Sequence, residues 1–120
     1  MRELISIIDI TVRDVPVTVV KILVPDVHSS EVIQTIGSQL YSLVEEHGRK
    51  NLLLNLGRVQ SLLTEFLGKL LGLQKRTSLA KGKLALCGLT PIVQEALDVC
   101  GLTGYFAIYR DEQEALNKHF

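Results

Sequence analysis

The sequence has 120 residues, of which 47% are apolar, and its 13 basic side chains balance 13 acidic ones. That length suits one domain with a core of its own, and the apolar content excludes a disordered chain. Zero net charge argues against the positive field of a non-specific nucleic-acid binder and against polybasic membrane attachment.

Residues 5–12 are rich in Ile and Val, with Ile8, Ile10 and Val12 spaced by two, the pattern of a strand. Arg13-Asp14-Val15-Pro16 reads as a turn, because proline presets φ and has no N–H for a central ladder. Residues 17–24 are almost continuously β-branched, as in a strand buried on both faces, and should pair with the first as a hairpin.

Ser29 or Ser30 caps a helix to about residue 47, with Val32, Ile36, Leu40, Leu43 and Val44 as its apolar face. Gly48 supplies the left-handed stop. Residues 52–56 (LLLNL) form a buried strand, and 63–79 a helix whose apolar positions are Leu63, Phe66, Leu67, Leu70, Leu71 and Leu73. Ala80-Lys81-Gly82 breaks that helix, and residues 83–89 make the next strand, with Leu84 and Leu86 on one face.

Thr90-Pro91 is a strong helix start, a capping hydroxyl followed by proline in the first helical position. Ile92, Val93, Ala96, Leu97 and Cys100 are its apolar stripe, ended by Gly101. Residues 105–109 are the last strand, and Asp111 with Glu114 opens a short final helix in the manner of a capping box. The expected order is ββαβαβαβα in a single α/β domain spanning residues 1–120. It has a mixed, mostly parallel sheet of about five strands, four helices, and the first hairpin as an antiparallel edge.

Chemistry is sparse. The loops at the carboxyl ends of the strands are 26–30, 57–64, 88–91 and 110–112, and none carries a phosphate-cradling glycine motif. Asp26 and His28 share one loop and could face Thr64 across the rim; a solvated loop explains them equally well. The central strand ends in Asn55-Leu56-Gly57, where a receiver-type aspartyl phosphate site needs an aspartate. Cys87 and Cys100 make no metal pattern and read as small core residues in a reducing compartment. Lys69, Lys75, Arg76, Lys81 and Lys83 read as a dipole-matched helix end or as a surface for an acidic partner. No cofactor, no metal and no enzymatic activity are expected. The longest apolar runs are too short to cross a bilayer and no signal peptide is visible, so the expected compartment is the cytoplasm.

The stretch LLLNLGRVQSLLTEFLGKLL at residues 52–71 resembles the core of STAS domains, the anti-sigma factor antagonist (anti-anti-sigma) family. The similarity continues through GKLALCGLTPIVQEALDVCGLTGYFAIYRDEQEAL and covers essentially the whole chain. It implies a regulatory interaction module that binds an anti-sigma factor, often a serine kinase. That kinase phosphorylates a hydroxyl at the start of the second main helix, and a phosphatase reverses it. A phosphate adds about 1.5–2 negative charges and fits a helix N-terminus, so one local event turns binding on or off. A non-switching scaffold that assembles with other STAS domains is the alternative.

Carried onto this sequence, the family motif D-S-S-G-L-G is degenerate. Leu63 stands at the aspartate, Thr64 at the first serine, Glu65 at the second and usual acceptor, and Phe66 at the small residue. Leu67 and Gly68 match the last leucine and glycine. Three readings of Glu65 are open: a helix-start acid matched to the dipole, a built-in mimic of the phosphorylated state, or a neighbour of an acceptor displaced to Thr64. Thr64 has its own plain reading as a capping hydroxyl. The surface expected to meet a partner comprises Asp26, His28, Leu63, Thr64, Glu65, Phe66, Lys69 and Thr90. Phe66 either packs inward, as its place in the apolar stripe favours, or anchors the interface.

Overall fold

The computed structural model describes residues 3–120, and its first feature is a hairpin of β1 (Ile5–Val12) and β2 (Val15–Ile22). The turn is Arg13-Asp14, both left-handed at φ 49° and 68°, the two-residue geometry whose twist matches the strands. Pro16 therefore lies in β2, opposite Thr11, and not in the turn as expected. The strand tolerates it because Val12 and Val15 close the hairpin as a hydrogen-bonded pair, which makes Thr11 and Pro16 a non-bonded one. Pairing with the next strand begins only at Thr18.

A two-residue strand β3 (Asp26–Val27) leads into α1 (Ser30–Glu45), β4 (Asn51–Asn55), a second two-residue strand β5 (Ser61–Leu62) and α2 (Thr64–Leu79). Then come β6 (Lys83–Cys87), α3 (Pro91–Val99), a 3-10 turn (Thr103–Tyr105), β7 (Ala107–Tyr109) and α4 (Glu112–Lys118). The main sheet has the order β1-β2-β4-β6-β7, antiparallel only between β1 and β2. The α/β class, the five-stranded mixed sheet, the four helices and the antiparallel edge are as the sequence predicts. The β3–β5 ribbon was not expected: two-residue strands are too short to show a period.

Alternation along the strands sorts side chains onto two faces. Val20, Ile22, Leu52, Leu54, Leu84 and Leu86 face α1, α2 and α3 in the main core. Val17, Val19, Leu53, Ala85 and Cys87 face α4, with Ala115 and Phe120 closing that side. Each such Leu or Val contributes about 1.5–3 kcal/mol when fully removed from water.

The helix stripes are displaced from the expected ones in places. In α1 Ile36, Leu40, Leu43 and Val44 are buried as expected, but Ile33 takes the core position given to Val32, which is half-buried. In α3 Val93 and Leu97 are buried, whereas Ile92 is 50% exposed. Cys100, expected in the core, is exposed beyond the end of that helix; Cys87 is buried. Gly82 is fixed by close approach, since any side chain there would collide with the Lys50 carbonyl in the turn that returns to β6.

Candidate partner-docking site

The loops at the carboxyl ends of the strands are tied to one another. Pro25 O accepts from both Gln60 N (2.7 Å) and Ser61 N (3.1 Å), Val27 pairs with Leu62, and Leu63 N donates to Val27 O at 3.0 Å. The segment entering α2 is thus pinned to the segment entering α1. Val59 is fully buried beneath it, and Thr90 Oγ1 donates to Val59 O at 2.7 Å while accepting from Val93 N at 3.4 Å. Thr90 joins two loops and caps α3; it is half-buried and its hydroxyl is occupied.

Asn55 does similar work on the other side of the rim. Its Oδ1 accepts from Gly57 N at 2.9 Å and its Nδ2 donates to Glu112 Oε2 at 2.7 Å, tying the end of β4 to α4. Cys87, in register beside it, is buried, and burial followed by the nearby Glu112 and Asp111 charges pushes its thiol up to about 12. The thiol stays protonated and inert at neutral pH.

Asp26 and His28 converge on Ser61, not on Thr64. Ser61 Oγ donates to Asp26 Oδ1 at 2.8 Å and lies 2.8 Å from His28 Nε2. With its one proton directed to the carboxylate, the hydroxyl is a bridge between the two side chains and not a nucleophile poised on a base.

The start of α2 differs from the other helix starts. Ser29 caps α1, Thr90 caps α3 and Asp111 caps α4, each through its side chain. At α2 the N-cap is Leu63, which has no side-chain bond to give, and Thr64 is the first helical residue. Thr64 is exposed, and its hydroxyl has no hydrogen-bond partner among the described residues. The capping reading of Thr64 is therefore overturned: the hydroxyl sits one position too late to reach the N2 or N3 amides. Leu63, assigned to the helix stripe by its spacing, is 41% exposed for the same reason.

Glu65 is exposed, yet both its oxygens are used. Ser30 Oγ donates to Oε1 at 3.0 Å and Gln34 Nε2 to Oε2 at 3.3 Å. Lys69 Nζ donates to Gln34 Oε1 at 2.9 Å, and its stem lies across Gly37. The expected basic cluster disperses. Arg76 lies over the Tyr41 ring, 3.8 Å from its centroid, and bonds Glu45, while Lys83 bonds the His119 carbonyl. Phe66 is 1% exposed and part of the core, which removes it from the surface as an interface anchor.

Of the eight residues expected at a partner surface, Asp26, His28, Leu63, Thr64 and Glu65 are exposed around the start of α2, with Lys69 half-buried one turn further on. Phe66 and Thr90 support them from within. Ser61 and Gln34, which complete this surface, are not singled out by the sequence, and Ser30 reads there only as a candidate cap in the 26–30 loop; their contacts span more than thirty residues of chain.

This architecture is that of anti-sigma factor antagonists of known structure. An anti-sigma-factor antagonist (STAS) domain protein from Planctomyces limnophilus superposes with a TM-score of 0.74 at 22% identity, over 92% of this chain and 95% of that one. The anti-sigma factor antagonist SpoIIAA in its unphosphorylated form superposes with 0.77 at 16% identity, over 95% and 94% of the two chains. Its phosphorylated form, from Bacillus, gives 0.70 at 15% identity over 95% and 97%. In sequence, the anti-sigma F factor antagonist of Paenibacillus polymyxa is 28% identical over 93 residues, which are 78% of this chain and 77% of that protein. The STAS domain model matches residues 27–115, and the chain belongs to the STAS domain family.

Proposed function

We propose that this protein is an anti-sigma factor antagonist that binds an anti-sigma factor with serine/threonine kinase activity through the start of α2, and that Thr64 is the hydroxyl the kinase modifies. The observation that carries this reading is the contrast between neighbours: Thr64 is exposed with a free hydroxyl at a helix start lacking a side-chain cap, whereas the Glu65 carboxylate is engaged by α1. Glu65 then acts as a tie between two helix starts and not as a mimic of the phosphorylated state.

A phosphate on Thr64 would sit in the first turn of α2, where the helix dipole stabilises a dianion. It would also place that charge beside Glu65 in the docking surface, where repulsion and desolvation oppose a tight interface. Phosphorylation releases the partner, and a phosphatase restores binding.

The test is mass spectrometry of the full-length protein recovered from its host before and after incubation with ATP and the anti-sigma factor it co-purifies with. The peptide of residues 59–69, bounded by Arg58 and Lys69, holds both Ser61 and Thr64. Phosphate on Thr64, lost in Thr64→Ala, and weaker capture of the same factor by Thr64→Glu are the expected results. Phosphate confined to Ser61, or none under any condition, overturns the assignment.

A further inference from the structure

The two edges of the main sheet are unlike. β7 offers three residues, while β1 offers eight and pairs with no strand on its outer side among the described residues. A long bare edge is a template for another strand, and proteins usually blunt it with lysine, proline, a bulge or an inward charge. β1 has no proline or lysine, and its one charge, Asp9, is already consumed. Arg49 grips it with Nη2 at 2.8 Å and Nε at 3.1 Å, and Thr18 Oγ1 donates at 2.7 Å. In the middle of this edge stand Ile7, 42% exposed, and Ile8, 58% exposed, one on each face of the sheet.

The hairpin fixes which backbone groups are free. Val12 and Val15 close it as a bonded pair, and Leu23 N donates to Leu4 O at 2.8 Å at the far end. Even-numbered residues of β1 therefore bond inward to β2, and Ile5, Ile7, Asp9 and Thr11 turn their N–H and C=O groups outward.

We infer that β1 pairs antiparallel with β1 of a second copy of this chain, about a two-fold axis through Ile8. Such an axis sets Ile7 of each copy against Asp9 of the other and Ile5 against Thr11, so every outward group faces an outward group. It preserves the faces of the sheet, and it brings the two Ile8 side chains together in a non-bonded pair, the closer kind. A surface that is its own complement is the hallmark of a two-fold contact. Zero net charge leaves no long-range repulsion between copies. One strand pair buries less than the roughly 1,200 Å² of a stable complex, so the dimer is weak and forms with concentration. The inference does not depend on Thr64.

Sedimentation equilibrium of the full chain from about 10 μM to about 1 mM tests it, because a contact this small is populated only at the upper end. The weight-average mass should rise from one copy towards two. Ile7→Pro should hold it at one copy throughout with an unchanged far-UV spectrum, because residue 7 gives its N–H outward and none to β2. If that variant loses its spectrum, Ile8→Lys, altering a side chain already exposed, should give the same single-copy mass. Ile8→Cys in a Cys100→Ser background should oxidise to a cross-linked dimer, and adding Ile7→Pro should abolish the cross-link. A single-copy mass at 1 mM, or a rise in mass that survives both edge variants, overturns the proposal. So does protection of the Ile5, Ile7 and Asp9 amides from exchange at every concentration, which would mean that another part of the same chain covers the edge.

Discussion

Thr64 and Thr90 stand at the starts of two neighbouring helices and have opposite fates. Thr90 is the residue before its helix, half-buried, with its hydroxyl shared between the Val59 carbonyl and the Val93 amide. Thr64 is the first residue inside its helix, exposed and unbonded, with an exposed leucine in the capping position. A shift of one residue relative to the helix start separates a structural hydroxyl from an available one. The lesson is that residue type at a helix start says little until the cap position is fixed.

That contrast can be broken or sharpened experimentally. The largest expected effect lies just inside the available start. Phe66→Ala empties a fully buried site and should cost about 3–5 kcal/mol, read as an early midpoint in denaturant unfolding. A loss below about 1 kcal/mol would mean that the start of α2 is not anchored by its aromatic residue.

Next is the direct pair. Thr90→Val removes a cap and the hydroxyl donor to a buried loop, and should cost about 1–2 kcal/mol. Thr64→Val should stay within about 0.5 kcal/mol of the parent. Equal losses in thermal unfolding of the two variants would erase the distinction between the two threonines.

Glu65→Ala should cost less than about 1 kcal/mol, since its bonds to Ser30 and Gln34 are exposed. Its signature is local: faster amide exchange at the first turns of α1 and α2 together. Exchange that changes in α2 alone would show that Glu65 is only a helix-start acid.

The smallest effect distinguishes the caps by chemistry. The Glu114 backbone amide holds the Asp111 carboxyl below the usual carboxylate range, helped by Arg110. Because the folded value is depressed, the cap of α4 contributes fully above the unfolded value near pH 4 and fades as pH falls through the folded one. Exchange at Glu114 should therefore quicken below about pH 4 relative to that of an unprotected amide at the same pH, while Val93, capped by a hydroxyl, keeps its protection. Parallel behaviour of the two amides would show that global acid unfolding comes first.

What was legible in the sequence was whatever a local rule could fix. The spacing of Ile and Val gave the hairpin, Thr90-Pro91 and Asp111 with Glu114 gave two helix starts, and Gly48 and Gly101 gave two stops, each with positive φ. The misreadings have local causes too. Val32 and Ile33 are both apolar and only 100° apart on the helix, so the sequence does not say which one points inward. Leu63 obeys the helical spacing although the chain is still extended there, with φ −91° and ψ 151°. The candidate site was the least legible part. Its residues were found by resemblance, while the contacts that decide their roles, Glu65 with Ser30 and Ser61 with Asp26 and His28, join segments remote in sequence.

The β3–β5 ribbon has a consequence for how fast this surface can respond. Loops at the ends of strands are often loose, and a partner that grips them must first freeze them, losing affinity and slowing association. Here the bonds from Gln60, Ser61 and Leu63 to Pro25 and Val27 have done the freezing during folding. Under the proposed function, a partner would meet a shape that already exists and dock as one rigid body against another. The lifetime of that proposed complex would then depend on the chemical state of the surface, not on any rearrangement of the chain beneath it.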